Sequence, residues 1–433
     1  MTVAEMFEQF LNHLAIDNKE QISDRYGEIT CALNKAFRDT DSKTANSLQV
    51  GSYGRGTAIK GISDLDMLYL MPASSWDKYK DGRQSALLQD VKNAIKDRYS
   101  RTDIWGDGQV VVVSFGNQEI EVVPAFEQED GSFRYPNTNN GGSWPTTKPR
   151  SEIRAILAMD REKNSNLRRL CKMARAWKNK HGVMMGGLLI DTLAYNFLES
   201  STDYDDKSYL YYDYMARDYL KYLSELPDKD YYLAPGSNQR VAVKKKFQKK
   251  AKKAYELCLK AIEVEGQDGA NKKWKKVFGR PFPAAAESAK TSAAEAMRSW
   301  DNTEEHIEDK YPIDIRYNLE IDCEVSQRGF REHSLRHMLL SKIPLLARKK
   351  LMFQVVSINV PEPYHIEWKV LNRGPVAKQR NQIRGQIVKD RGFNNKEEHT
   401  SFRGDHIVEC YAIRNGVVVA KDRIDVPINA GEK

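Results

Sequence analysis

The sequence predicts an α+β protein: a small sheet flanked by helices, then a helical lobe, then a separate, mostly β domain at the C-terminus. Three observations carry that expectation. Up to about residue 125, helix-period and strand-period apolar spacings alternate. Residues 150–282 are almost wholly helix-period. After Pro312 the texture turns to short alternating runs broken by turn residues. At 433 residues the chain is also too long for one compact core.

Taken in order, the start MTVAEMFEQFLNHLAIDNKEQ mixes acids with apolar residues and lacks the basic, apolar, small-residue order of a secretion signal, so a helix is expected there. Residues 17–40 repeat apolar positions at Ile22, Tyr26, Ile29, Leu33 and Phe37, spacings that fall on one helical face. Asp17 or Asn18 can cap that helix. Ser47 to Val50 is extended in character and leads into the glycine-punctuated GSYGRGTAIKG. A strand over Leu65–Met71 stops at Pro72. A helix bearing Leu87, Leu88, Val91, Ile95 and Tyr99 precedes strands at Val110–Phe115 and Glu119–Val123. The expected organisation is a catalytic lobe at 1–150, a helical lobe at 151–282, a linker at 283–305 rich in Ala and Ser, and a C-terminal domain at 306–433.

Composition narrows the functional classes. No apolar run approaches the roughly 18 residues of a membrane span, so no membrane partner is expected. Five scattered cysteines without a CxxC pair indicate neither a disulfide framework nor a zinc site, which fits a reducing cytoplasm. The net charge of +8 favours polyanionic partners. Lysines crowd residues 244–253, and that run alone supports nucleic acid as a partner; a solvated helix face is the plainer reading. Trp177 and Trp274 are expected in the core.

The chemistry concentrates at Gly51-Ser52, followed by Asp64-Leu65-Asp66. Alternation along a strand turns Asp64 and Asp66 to one face, about 7 Å apart, with Leu65 on the other. Two such carboxylates repel unless a cation or proton intervenes. Gly51 allows close backbone approach to a phosphate, and Ser52 offers a hydroxyl and an amide. A third acid, Glu121, lies between Ile120 and Val122 in the run EIEVVPA, where stability alone gives little reason for it.

These residues carry a resemblance. The order Gly-Ser, Asp-x-Asp, then an acid before Val-Val-Pro-Ala resembles the DNA polymerase β-type nucleotidyltransferases. QVGSYGRGTAIKGISDLDM and IEVVPAF are similar to the SMODS-type cyclic GMP-AMP synthase-like enzymes of CBASS anti-phage systems. The resemblance spans about residues 1–285. It implies two Mg²⁺ ions (or Mn²⁺) held by Asp64, Asp66 and Glu121. It also implies nucleoside triphosphates as substrates and a cyclic product acting on a downstream effector. The family's third acid is usually aspartate; glutamate stands here, and its extra methylene shifts the carboxylate.

The helix predicted at Asn166–His181 sets Arg168, Lys172, Arg175 and Asn179 off from an inner stripe of Leu167, Leu170, Cys171, Ala174 and Trp177. In the family a lysine on the corresponding helix contacts nucleotide phosphates, which implies Lys172 first and Arg175 second. The segment starting at Gly186 resembles one that often carries a serine near the nucleotide. Gly187 stands there, so no contact is carried over.

The region 306–430 resembles the AGS-C sensor domain. It does so through PYHIEWKV at 363–370, Asn372-Arg373-Gly374, RGQI at 384–387 and RGDH at 403–406. Its ligand is not implied. His365 and His406 are expected to pack or hydrogen-bond rather than hold metal. A linear oligonucleotide synthase or an enzyme extending RNA 3′ ends is the alternative reading. A non-catalytic nucleotide sensor is a third, against which the presence of all three acids argues.

Overall fold

The structure, a computed structural model, describes residues 1–62, 64–116, 118–267, 269–284, 305–327, 330–372, 377, 384–400 and 404–429. Most of the expected linker at 283–305 lies outside the described residues, as do Arg373, Gly374 and Arg403. The chain divides into two compact units, Met1–Thr291 and Ser292–Lys433.

The first unit opens with helix α1 (Val3–His13), whose start is closed by a capping box between Thr2 and Glu5. Helix α2 (Lys19–Arg38) follows, then strand β1 (Ser47–Gln49), the one-turn helix α3 (Gly51–Gly54) and strand β2 (Asp64–Leu70). Helices α4 (Trp76–Tyr79) and α5 (Gln84–Arg98) lead to β3 (Asp103–Asp107), β4 (Val110–Ser114) and β5 (Glu119–Glu127). The short β6 (Phe133–Arg134) and β7 (Thr146–Thr147) complete the sheet. Its order is β1-β2-β5-β4-β3, with β6 and β7 continuing from β5. Strands β2 and β5 run parallel; β1 and β4 pair antiparallel to them.

Alternation along these strands divides the sheet into two faces. Leu65, Met67 and Tyr69 of β2 join Ile120 and Val122 of β5 and Val111 and Val113 of β4 in a core closed by α2 and α5. Ile22, Ile29 and Leu33 come from α2, and Leu87, Val91 and Ile95 from α5. The opposite face is packed at one end by Leu48, Leu68, Ala125 and Phe133, and Val112 of β4 is buried on it across from Glu121. The acids are placed at the other end of that face.

A helical lobe comprises α6 (Pro149–Glu162), α7 (Asn166–His181), α8 (Gly187–Glu199), α9 (Tyr212–Glu225), α10 (Gln248–Ile262) and α11 (Ala270–Phe278). Their core takes in α1, so that Phe7 and Phe10 pack with Phe278 and Phe282. Trp177 and Trp274 are both buried core residues. The lobe is not wholly helical: β8 (Tyr231–Leu233) and β9 (Arg240–Ala242) pair as a short hairpin.

The second unit carries the short helices α12 (Ile307–Lys310) and α13 (Leu335–Leu340) and nine described strands. Strands β10 (Leu319–Gln327), β11 (Phe330–Ser334), β13 (Lys350–Ile358) and β16 (Asn395–His399) form one sheet, in the order β11-β10-β13-β16. Strands β12 (Leu345–Leu346), β14 (His365–Leu371), β15 (Ile387–Lys389), β17 (Gly404–Arg414) and β18 (Val417–Asn429) form the other, in the order β12-β18-β17-β14-β15. Ile321, Cys323 and Phe353 from the first sheet share a core with Trp368, Val408, Cys410 and Ile424 from the second. His365 lies 3.3 Å from Glu367, and His406 lies 3.0 Å from Asn372. All five cysteines are free, and no helix among the described residues is long and apolar enough to cross a membrane.

Candidate active site

Strand β2 places Asp64 and Asp66 on one face because Leu65, between them, is fully buried on the other. Strand β5 repeats the arrangement, with Glu119 and Glu121 separated by the buried Ile120. The parallel register sets Asp64 opposite Glu119 and Asp66 opposite Glu121. Neighbouring strands lie roughly 4.8 Å apart, so four carboxylates share one small patch. Glu119 was not anticipated from sequence; its residue spacing from Glu121 was the available signal.

The turn before β2 is pressed against this patch. Gly51 has φ +63°, and a Cβ built on it would lie 1.6 Å from Asp66 Oδ2. Only glycine leaves that carboxylate its place. Asp66 is also fixed through its backbone: its carbonyl accepts from Val50 N at 3.1 Å and from the Tyr26 hydroxyl at 2.5 Å. Ser52 is half-buried beside it, and its hydroxyl makes no hydrogen bond to the described protein. Its carbonyl, by contrast, accepts from Thr57 N and Ala58 N at 2.9 and 3.1 Å, which fixes the turn.

The electrostatics follow from the packing. Burial is the main cause raising the Asp66 carboxyl above its ordinary range; Asp64 adds to the rise and the Arg55 guanidinium opposes it. Glu121 is raised too, by burial first, then by Asp66, Asp64 and Asp107. Such a crowded set of hard oxygen donors suits a hard divalent cation. As positioned, no three His, Cys, Asp or Glu side chains among the described residues close into a metal-ligand set. The donor chemistry fits Mg²⁺ or Mn²⁺, and the carboxylates would have to turn toward one another to share an ion.

The basic residues of α7 divide. Arg175 is buried, and both its terminal nitrogens bond Asp191, at 2.6 and 3.0 Å. The helix turns it toward α8 instead of toward open solvent, so it is not an exposed phosphate contact. Lys172 is half-buried on the same face as Arg168, one turn away. Arg168 is the arginine of α7 that meets the turn segment: a Cβ on Gly56 would lie 3.1 Å from its guanidinium. It is oriented by Asp160, which accepts from Arg168 Nε at 2.5 Å. The lysine run falls on and before the first turns of α10, where Lys250 bonds the carbonyls of His181 and Gly182 at 3.0 and 2.7 Å.

Comparison with known proteins accords with this architecture. Residues 1–159 match the Second Messenger Oligonucleotide or Dinucleotide Synthetase (SMODS) domain, and residues 301–429 match the Adenylyl/Guanylyl and SMODS C-terminal sensor domain (AGS_C). No curated protein matches the chain. Among solved structures, CdnC of E. coli MS115-1 in its HORMA-deltaN complex is 14% identical with a TM-score of 0.51, covering 65% of this chain and 98% of its own. CdnC of the same strain with ATP gives 15% identity and 0.49 over 65% and 98%. The CD-NTase CdnG of Bradyrhizobium diazoefficiens with GTP gives 10% and 0.49 over 66% and 96%. At 14% identity and a TM-score of 0.51, the likeness to CdnC in its HORMA-deltaN complex is one of fold. The chain thus carries a second-messenger nucleotide synthetase domain and a C-terminal sensor domain.

Proposed function

We propose that this nucleotidyltransferase, with its SMODS domain and appended AGS_C domain, joins nucleoside triphosphates into a cyclic oligonucleotide through a divalent-cation site at Asp64, Asp66 and Glu121. The observation that carries the reading is the parallel register of Asp66 with Glu121, beside a glycine turn that a Cβ would drive into Asp66. A ribose hydroxyl attacks the α-phosphate of a second triphosphate, the P–O bond to the leaving pyrophosphate breaks, and the proton passes to a nearby carboxylate. When bound, Mg²⁺ or Mn²⁺ ions supply acidification of the attacking hydroxyl and charge neutralisation on the pyrophosphate.

The protein's own groups do the rest. The Ser52 hydroxyl and the turn's leading amides bind phosphate oxygens. Arg168 and Lys172 contribute positive charge from α7. Glu121, whose carboxyl burial and neighbouring acids push up, is suited to accept the proton. A cyclic product made from two or three nucleotides would act as a diffusible signal, with the AGS_C domain gating its synthesis, as an anti-phage role requires.

The test is direct. The full chain is incubated with all four NTPs and Mg²⁺, treated with phosphatase and read by mass spectrometry. A phosphatase-resistant cyclic mass, absent from an Asp64→Asn/Asp66→Asn chain, is expected. Linear products only would return the reading to a linear synthase or an RNA-end enzyme. Full turnover by the double variant would remove the metal site.

A further inference from the structure

The segment after the Gly51–Ser52 turn is tied to the helical lobe through one carboxylate. Asp191 of α8 is fully buried. Its Oδ2 accepts from Arg55 Nε at 2.8 Å, from Thr57 Oγ1 at 2.9 Å and from Arg175 Nη2 at 3.0 Å. Its Oδ1 accepts from Arg175 Nη1 at 2.6 Å. Arg55 extends the network to Glu152 of α6, 3.7 Å away, where the Ser237 hydroxyl donates to Oε1 at 3.0 Å. Buried charge networks seldom repay their desolvation as stability, so a network of this size is better explained by the geometry it enforces.

That geometry leads back to the turn. Thr57 is fully buried; its hydroxyl bonds Asp191, lies 3.3 Å from the Ser52 carbonyl, and its amide donates to that carbonyl at 2.9 Å. Arg55 N donates to the Gly51 carbonyl at 3.2 Å. Gly56, between them, lies under the Arg168 guanidinium. Three consecutive residues, each gripped by the helical lobe, therefore set where Ser52 stands relative to α7.

We propose that Asp191 is a positioning residue for nucleotide binding: through Thr57 and Arg55 it locks the Ser52 turn at a fixed distance from the basic face of α7, so that one triphosphate is held from both lobes. This rests on the reading that Ser52 contacts the triphosphate. Asp191 itself touches no substrate. The signal in the sequence was a lone acid within the apolar helical run LLIDTLA, which marks a buried partner without naming it.

The experiment uses the full chain and measures pyrophosphate release at varied NTP, together with the melting temperature. Thr57→Val keeps the shape and removes the hydroxyl; Thr57→Ser keeps the hydroxyl and removes a methyl. The proposal expects the Val variant to raise KM about threefold to tenfold, the worth of one hydrogen bond, and the Ser variant to stay near the parent. A packing role predicts the reverse order and would overturn it. Combined with Ser52→Ala, Thr57→Val should cost no more than the larger single change, because both act on one contact. Additive losses overturn the positioning role alone, whereas a Ser52→Ala chain with unchanged KM removes the triphosphate reading and this proposal with it. If the Val variant does not fold, Arg55→Lys, which keeps the charge and loses the Nε contact, goes through the same cycle with the same outcomes.

Discussion

Asp66 and Glu121 sit where their charges are disfavoured, and that cost makes a prediction separating function from stability. Burial and mutual repulsion raise both carboxyls, so without metal the folded chain binds more protons than the unfolded chain just above the ordinary carboxylate range. Stability from these groups is present at lower pH and declines as pH rises through their raised values. Asp66→Asn or Glu121→Gln should therefore cost at least about a hundredfold in turnover while leaving the melting temperature at neutral pH equal or higher. Glu121→Asp retains the charge and should retain turnover, with an altered Mg²⁺ to Mn²⁺ preference read by metal titration. Loss of turnover in the Asp variant equal to that in the Gln variant would show that reach matters as much as charge. A second buried acid, Asp213 on α9, makes a prediction free of the site. Among the described residues its Oδ1 has no hydrogen-bond partner, and burial pushes its carboxyl up to about 6. Stability held by protonated Asp213 is complete below the unfolded value near 3.8 and is lost as pH rises through about 6. At pH 7.5 Asp213→Asn should match or exceed the parent in stability, by up to about 2 kcal/mol, read as an equal or higher melting temperature. Near pH 4 the difference should shrink to about 0.5 kcal/mol or less; a variant less stable at both pH values sinks the account.

At the scale of elements, the legible parts were those whose burial follows one period. Strands β2 and β5 set the buried Leu65 and Ile120 between acids that are not buried, and the helices α2, α5 and α7 carry continuous inner stripes. Strand β3 escaped because Ile104 alone among Asp103–Asp107 is buried, while Trp105 is 39% exposed. The hairpin of β8 and β9 escaped for a like reason: three-residue strands with Tyr231 and Leu233 exposed leave no face to read. Arg175 shows a different limit. Its position flanks the inner stripe of α7, and the acid that claims it, Asp191, lies 16 residues on in another helix. Periodicity gives a residue's angle on its own helix and is silent about what faces it. The lysines of α10 allow an elementary test. Its first turn has no acid, and Lys249, exposed there, opposes the positive end of the helix dipole. Lys249→Glu should stabilise the chain by about 0.3–1 kcal/mol with unchanged turnover, as read by thermal melting. Lost activity with retained stability would instead assign this helix end to a polyanion that the reaction needs.

At the scale of the whole molecule, the cores are drawn from separate stretches of chain. The apolar clusters of the first unit use residues between Val3 and Phe282, and the cluster of the second runs from Leu319 to Ile428. A cooperative transition is set by the residues that share a core, so each unit has what it needs to melt on its own. We expect a chain ending at Thr291 to fold and keep the synthetase fold, and residues 292–433 to fold as a β protein. Calorimetry of the full chain should then resolve into the two transitions of the separate units. If the AGS_C domain gates synthesis, the shortened chain differs from the full one in turnover and not in the melting of its synthetase unit. Equal turnover would place the sensor outside the catalytic cycle. A synthetase unit that melts well below its transition in the full chain would mean that the C-terminal domain stabilises it, and gating would have to be argued from coupling energy between the two.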